Sequence, residues 1–188
     1  MKIILGSESR GRREIMERAG YVFDVMPAYI DEKAIRLSHP SLLTLALALA
    51  KRDALLSRIG EPALLITSDQ VVVYNGAIRE KPTDAEEAER YLRTAHLFPS
   101  ETVTSVAVTN TVTKRSVSAT DTARVYFRKI PEVVIREYIR TGDAFTQSGG
   151  FDCEHVLIAP YVERLEGERE SMVGLPIRLV RLLIEDAM

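Results

Sequence analysis

Apolar and polar positions fall into short runs whose period switches back and forth between that of a strand and that of a helix. Lys2 to Leu5 predicts a short strand. Gly6-Ser7-Glu8-Ser9 reads as a turn with two N-cap residues for a helix to about Ala19, stopped by Gly20. Tyr21 to Met26 predicts a second strand, and Ile30-Asp31-Glu32 opens a connection. After Ser38-His39-Pro40-Ser41, the residues Leu42, Leu45, Ala46, Leu49, Ala50 and Ala54 recur at helical spacing and predict a long helix with that stripe buried. Ala63 to Ile66 reads as a buried strand, interrupted at Thr67-Ser68-Asp69-Gln70 and resumed at Val71 to Tyr74.

Asn75-Gly76 is a tight-turn signal. Lys81-Pro82 precedes a helix over about Asp84 to Thr94, with Glu86 and Glu87 in the first turn, where the macrodipole favours acids. Glu101 to Thr109 and Ser116 to Arg128 are rich in Val and Thr and predict antiparallel strands. In the second, Ala123, Val125 and Phe127 alternate with Arg124, Tyr126 and Arg128, so one face is buried. Pro131 starts a helix to about Thr141 and Gly142 stops it. Gly149-Gly150 is a flexible junction, Val156 to Leu165 is β-like, and Val173-Gly174-Leu175-Pro176 leads into a last amphipathic helix carrying Leu179, Val180, Leu182 and Leu183. This alternation predicts an α/β fold over residues 1–188 as one domain, in two lobes with a central cleft, although composition marks no boundary.

Composition narrows the function classes. Hydrophobic residues make up 46% and charged residues 28%, as in an ordinary globular domain, and the net charge is -2. No global basic field draws the chain to nucleic acid or anionic membranes, so any phosphate site must arise from local clustering. The one cysteine, Cys153, excludes an internal disulfide. The apolar start is too short for a signal peptide and no run approaches a membrane span, which points to a cytoplasmic protein. A homodimer would need an exposed apolar face, and the sequence singles none out.

Four segments carry candidate chemistry. In Ser7-Glu8-Ser9-Arg10-Gly11-Arg12-Arg13, three arginines crowd a helix N-terminus that already bears partial positive charge. An anion held by the helix amides, Ser7, Ser9 and the guanidinium forks would resolve the conflict, and a solvated basic turn is the equal alternative. Asp69 lies between two apolar β runs, where a carboxylate without partners is costly. It is suited to hold a divalent metal or to deprotonate water, against the plainer reading of a turn or bulge residue. Glu32, Lys51 and Lys81 are individually weak signals, for exposed lysine is the default. Gly149-Gly150 allows close approach to a ligand, but Cys153 beside His155 does not make a thiol nucleophile, and His39, His96 and His155 lack zinc-ligand spacing.

Taken in order, these segments resemble the Maf family of nucleotide pyrophosphatases over nearly the whole chain. Leu5-Gly6-Ser7-Glu8-Ser9-Arg10-Gly11-Arg12-Arg13-Glu14 is similar to the family's opening Leu-Ala-Ser-x-Ser-Pro-Arg-Arg-x-Glu. Ile30-Asp31-Glu32, Lys51, Ser68-Asp69-Gln70-Val71-Val72, Lys81-Pro82 and Val173-Gly174-Leu175-Pro176 match its later motifs. The family's Pro and first Arg are absent at Arg10-Gly11. Gln70, Glu154 and the segment Glu163-Arg164-Leu165-Glu166-Gly167 look like the branch associated with 7-methyl-GTP, which carries Trp where this chain has Gly11. The resemblance implies a mixed twisted sheet flanked by helices and hydrolysis of a nucleoside triphosphate to monophosphate and pyrophosphate. It implies Asp69 as catalytic residue, and Ser7, Ser9, Arg12, Arg13, Lys51 and Lys81 on the phosphates. Gly11, Gln70 and Glu154 would set specificity, and Glu32 with Asp69 would hold Mg or Mn. A dTTP/UTP pyrophosphatase and a non-catalytic nucleotide-binding regulator of cell division are the alternatives.

Overall fold

The computed structural model describes Met1–Met188. Its strands are β1 (Lys2–Leu5), β2 (Asp24–Val25), β3 (Ala63–Tyr74), β4 (Ala77–Arg79), β5 (Ser100–Asn110), β6 (Ser116–Phe127) and β7 (Val162–Glu166). Its helices are α1 (Arg10–Arg18), α2 (Pro40–Leu56), α3 (Ala85–Thr94), α4 (Glu132–Thr141), α5 (Arg169–Val173) and α6 (Ile177–Ala187). The strands form a seven-stranded mixed sheet in the order β2-β1-β3-β5-β6-β7, with β4 paired to β3. β1 runs parallel to β2 and β3, whereas β3–β4 and β6–β7 are antiparallel. The fold class is therefore the α/β arrangement expected from the alternating periods. No helix is long and apolar enough to cross a membrane.

The chain divides into two compact units. One comprises Met1–Gln70, Val103–Asp121 and Arg169–Met188; the other comprises Val71–Thr102 and Thr122–Glu168. In the first unit, alternate residues of β1 and β3 serve opposite faces, as a pleated strand requires. Leu5, Leu64 and Ile66 join Ile15, Met16, Val106, Val108, Leu175, Val180 and Leu183 on the face covered by α1 and α6. Ile4, Ala63 and Leu65 pack with Leu55 of α2 on the other face. In the second unit, Ala123, Val125 and Phe127 are buried as their alternation predicts, and the Asn75-Gly76 turn closes the β3–β4 hairpin with both residues at positive φ.

The structure corrects four sequence expectations. The buried stripe of α2 is Leu43, Thr44, Leu47, Ala48, Lys51 and Leu55, and Leu42 is exposed, so the stripe lies about one residue from the expected register. Leu and Ala occupy nearly every position there, and the polar Thr44 and Lys51 inside the stripe hid it. β3 is one unbroken strand, because each residue of Thr67-Ser68-Asp69-Gln70 finds a polar partner without leaving the ladder. Of Tyr21 to Met26 only Asp24–Val25 pairs with β1. Of Val156 to Leu165 only the end is strand, since Ile158, Ala159 and Tyr161 make local turn bonds around Pro160. The short helix α5 had no periodic signal.

Candidate active site

Strand alternation divides the Thr67-Ser68-Asp69-Gln70 segment between two faces of β3. Thr67 and Asp69 point toward α2: the Thr67 hydroxyl donates to Ala48 O (2.8 Å) and Asp69 meets Lys51. Ser68 and Gln70 point to the opposite face, where the Ser68 hydroxyl donates to Gly174 O (3.1 Å) and the Gln70 amide donates to Thr104 Oγ1 (2.8 Å) and Ser171 O (2.5 Å).

On the α2 face the Lys51 ammonium lies 2.6 Å from Asp69 Oδ1 and 2.8 Å from Glu32 Oε1. Asp69 and Lys51 are buried, at 7% and 9% exposure, while Glu32 is exposed at the start of a single 3-10 turn capped by Asp31. Burial pushes the Asp69 carboxyl above its usual range; the charge and hydrogen bond of Lys51, and the charge of Arg12, pull it back. An aspartate so held, once ionised, is a stronger proton acceptor than a solvated one.

Arg12 sits in the first turn of α1. Ser9 caps this helix, its hydroxyl accepting from Arg12 N (3.4 Å), and Ser7 Oγ accepts from Ser9 N (3.2 Å). No acid occupies the first turn. The Arg12 side chain donates from Nε to Gly174 O (2.9 Å), and from Nη1 to Ser68 O (2.7 Å) and Ser7 Oγ (3.4 Å). Both serine hydroxyls thus act as acceptors toward the protein, which leaves their O–H groups to donate elsewhere. Burial lowers the Arg12 pKa, and the charges of Asp69 and Glu32 oppose the shift. The chain enters this corner tightly: Gly6 N donates to Ile66 O (2.8 Å), and a Cβ on Gly6 would meet Leu55 Cδ1 at 2.7 Å and Thr67 Cγ2 at 2.8 Å.

The first unit therefore brings together Ser7, Ser9, Arg12, Glu32, Lys51, Asp69 and Gln70. Arg13 does not join them. It is exposed and lines a surface hollow of about 460 Å³ with Glu17, Tyr21, Val22, Phe23 and Val25. Gly11 lies on α1 against α5, where a Cβ would stand 2.6 Å from Val173 Cγ1. Lys81 and Glu154 belong to the second unit, and both are exposed. There Pro82 packs beside Gly150, and Gly149 N donates to Glu80 O (3.1 Å). Glu154 N donates to Asp152 Oδ1 (2.8 Å), whose own backbone N–H is held by the Tyr138 hydroxyl (3.0 Å). His155 pairs with Asp143 through Nε2 (3.3 Å) and accepts from Leu157 N at Nδ1 (3.1 Å).

Ser68, Thr104, Asp121, Ser171 and Gly174 were not singled out individually by the sequence. The signal that could have found Gly174 was its glycine within Val173-Gly174-Leu175-Pro176: it takes φ +104°, and a Cβ there would come within 3.3 Å of Arg12 Nε.

The family model described as Maf-like protein matches residues 2–187. A 7-methyl-GTP pyrophosphatase of Dictyostelium discoideum is 42% identical over 189 residues, covering 97% of this chain and 95% of that protein. A nucleoside triphosphate pyrophosphatase of a Synechococcus species is 34% identical, covering 98% and 93%. A dTTP/UTP pyrophosphatase of Bdellovibrio bacteriovorus is 31% identical, covering 97% and 96%.

Proposed function

The chain belongs to the Maf-like family, and from that premise we propose that it is a nucleoside triphosphate pyrophosphatase whose substrate is 7-methyl-GTP, cleaved to the monophosphate and pyrophosphate. The observation that carries the reading is the buried Asp69 carboxylate, held by Lys51 on one side of β3 while the Arg12 guanidinium lies close enough to act on it electrostatically.

Asp69 takes a proton from the water that attacks the α-phosphorus. Arg12, the Ser7 and Ser9 hydroxyls and the α1 amides bind phosphate oxygens, with Lys81 as a further cation. Lys51 holds Glu32 and Asp69 together through one ammonium, so a cation between these carboxylates is already part of the folded chain. No group of three or more His, Cys, Asp or Glu side chains forms a metal cage. Two carboxylates suit Mg or Mn, which completes its shell with waters and substrate phosphates. Glu32 and Asp69 would hold that ion, and it would supply charge neutralisation of the triphosphate. Lys51, which keeps its contact with Asp69, would present its remaining N–H donors to the phosphate chain.

Glu154 supports the choice of base: a carboxylate accepts from the N1–H and exocyclic amine of a guanine edge and complements a cationic methylated ring. The relatives acting on dTTP and UTP support pyrimidine triphosphates as the second reading. The test is pyrophosphate release over 7-methyl-GTP, GTP, dTTP and UTP, with and without Mg. Preferential turnover of 7-methyl-GTP is expected. Preference for dTTP or UTP moves the assignment to the second reading, and tight binding without turnover ends the enzymatic one.

A further inference from the structure

A row of polar side chains crosses three neighbouring strands on the face of the sheet opposite Asp69: Gln70 on β3, Thr104 on β5 and Asp121 on β6. Polar residues on a core face are costly unless each is satisfied. Two of them, Gln70 and Asp121, meet at one residue of α5, the fully buried Ser171. The Ser171 hydroxyl donates to Asp121 Oδ2 (2.6 Å), and its carbonyl accepts from Gln70 Nε2 (2.5 Å). Gly174 N donates to this carbonyl (3.2 Å) and also to Glu170 O (3.1 Å), at the turn where Gly174 adopts φ +104°. Gly174 O in turn accepts from both Arg12 Nε and Ser68 Oγ.

We propose that Gln70, Ser171 and Asp121 are positioning residues that hold the Gly174 carbonyl and thereby aim the Arg12 guanidinium, so that Gln70 acts on the triphosphate through Arg12. Two observations carry this. The Gln70 amide nitrogen spends its hydrogens on Thr104 and Ser171, both protein groups. Its side chain also leaves β3 on the face away from Asp69. Arg12, fixed at Nε and Nη1 by two carbonyls, keeps its Nη2 edge for a ligand, and the plane of that edge is set by where Gly174 O stands.

The proposal rests on the triphosphate reading of the site, and a ligand without a base separates the two. The probe is inorganic tripolyphosphate, bound to the full chain and followed by titration calorimetry. Gln70→Ala and Ser171→Ala should each weaken its binding about tenfold, the scale of a misplaced charged hydrogen bond. In an Arg12→Ala background neither should weaken it further. Ser171→Thr, which keeps the hydroxyl, should restore the affinity. Asp121→Ala, at a half-buried position, repeats the test should Ser171→Ala not fold. Unchanged tripolyphosphate binding together with an altered nucleotide profile overturns the proposal and returns Gln70 to base reading. Losses that add fully to that of Arg12→Ala overturn it as well, marking a general structural effect. If the unaltered chain does not bind tripolyphosphate, the triphosphate site itself falls, and this inference with it.

Discussion

Lys51 Nζ stands 2.6 Å from Asp69 Oδ1, and both residues are buried between α2 and β3. Two opposite charges taken out of water depend on each other: removing one leaves the other unpaired in a poor solvent, at a cost of about 3–5 kcal/mol for a fully buried pair. The site is therefore a stability element as well as a chemical one, and variants at either position need a fold check beside the activity assay.

Asp69→Asn keeps the size of the side chain and removes the proton acceptor. Pyrophosphate release should fall at least about 100-fold, the lower range for loss of a general base. Circular dichroism should show a folded chain. Turnover near that of the unaltered protein would remove Asp69 from the centre of the mechanism.

The pH dependence follows from the raised Asp69 pKa, for which burial is the largest cause. Activity should rise with pH along a limb lying above the ordinary aspartate range, because the carboxylate must be ionised to take a proton. Lys51 lowers this pKa, so in Lys51→Met the limb of the residual activity should move to higher pH. Stability runs the other way. The unfolded chain releases this proton first as pH rises, so the Asp69 contribution falls between the unfolded pKa and the raised folded one, and Asp69→Asn should abolish that fall. A limb at or below the ordinary aspartate value would contradict the assignment.

Glu154→Gln exchanges an acceptor-only group for one that also donates, on a turn held by Asp152 and Tyr138. The ratio of kcat/KM for 7-methyl-GTP over UTP should drop about tenfold or more, as expected when a polar group in a specificity site loses its match. An unchanged ratio would dissociate Glu154 from base choice.

Gly6→Ala probes the tight entry to the phosphate corner. The added Cβ meets Leu55 and Thr67 side chains below 3 Å and Ile66 O at 3.3 Å. The backbone contact cannot yield as the side chains can, so thermal or urea unfolding should report a loss of about 1–2 kcal/mol. No loss would mean the corner has slack.

Much of this was legible in the residues, for identifiable reasons. Ser9 as an N-cap, Gly142 as a helix stop and Asn75-Gly76 as a hairpin turn are local rules that tertiary context left alone. What escaped was non-local. A run of Thr, Ser, Asp and Gln looks like an interruption of β3 until the partners Ala48, Gly174, Lys51 and Thr104 are seen to arrive from elsewhere in the chain. The resemblance to the family joined Asp69, Lys51 and Arg12 as companions. It did not show that Ser68 and Gln70 leave on the opposite face from Asp69, nor that Arg13 turns toward a separate hollow.

The buried stripe of α2 has one further consequence. The segment Leu42-Leu43-Thr44-Leu45-Ala46-Leu47-Ala48-Leu49-Ala50 offers Leu or Ala on every side but one, so burial of apolar area discriminates weakly among rotations of the helix about its own axis. Only one rotation delivers Lys51 to Asp69; the others strand an ammonium or a carboxylate away from water. The pair of charges thus acts as a key that selects a unique packing from several of similar apolar merit, a role in which a buried polar contact supplies uniqueness more than strength. Replacing both residues by well-fitting apolar ones should leave a chain that folds yet no longer holds α2 to a single rotation.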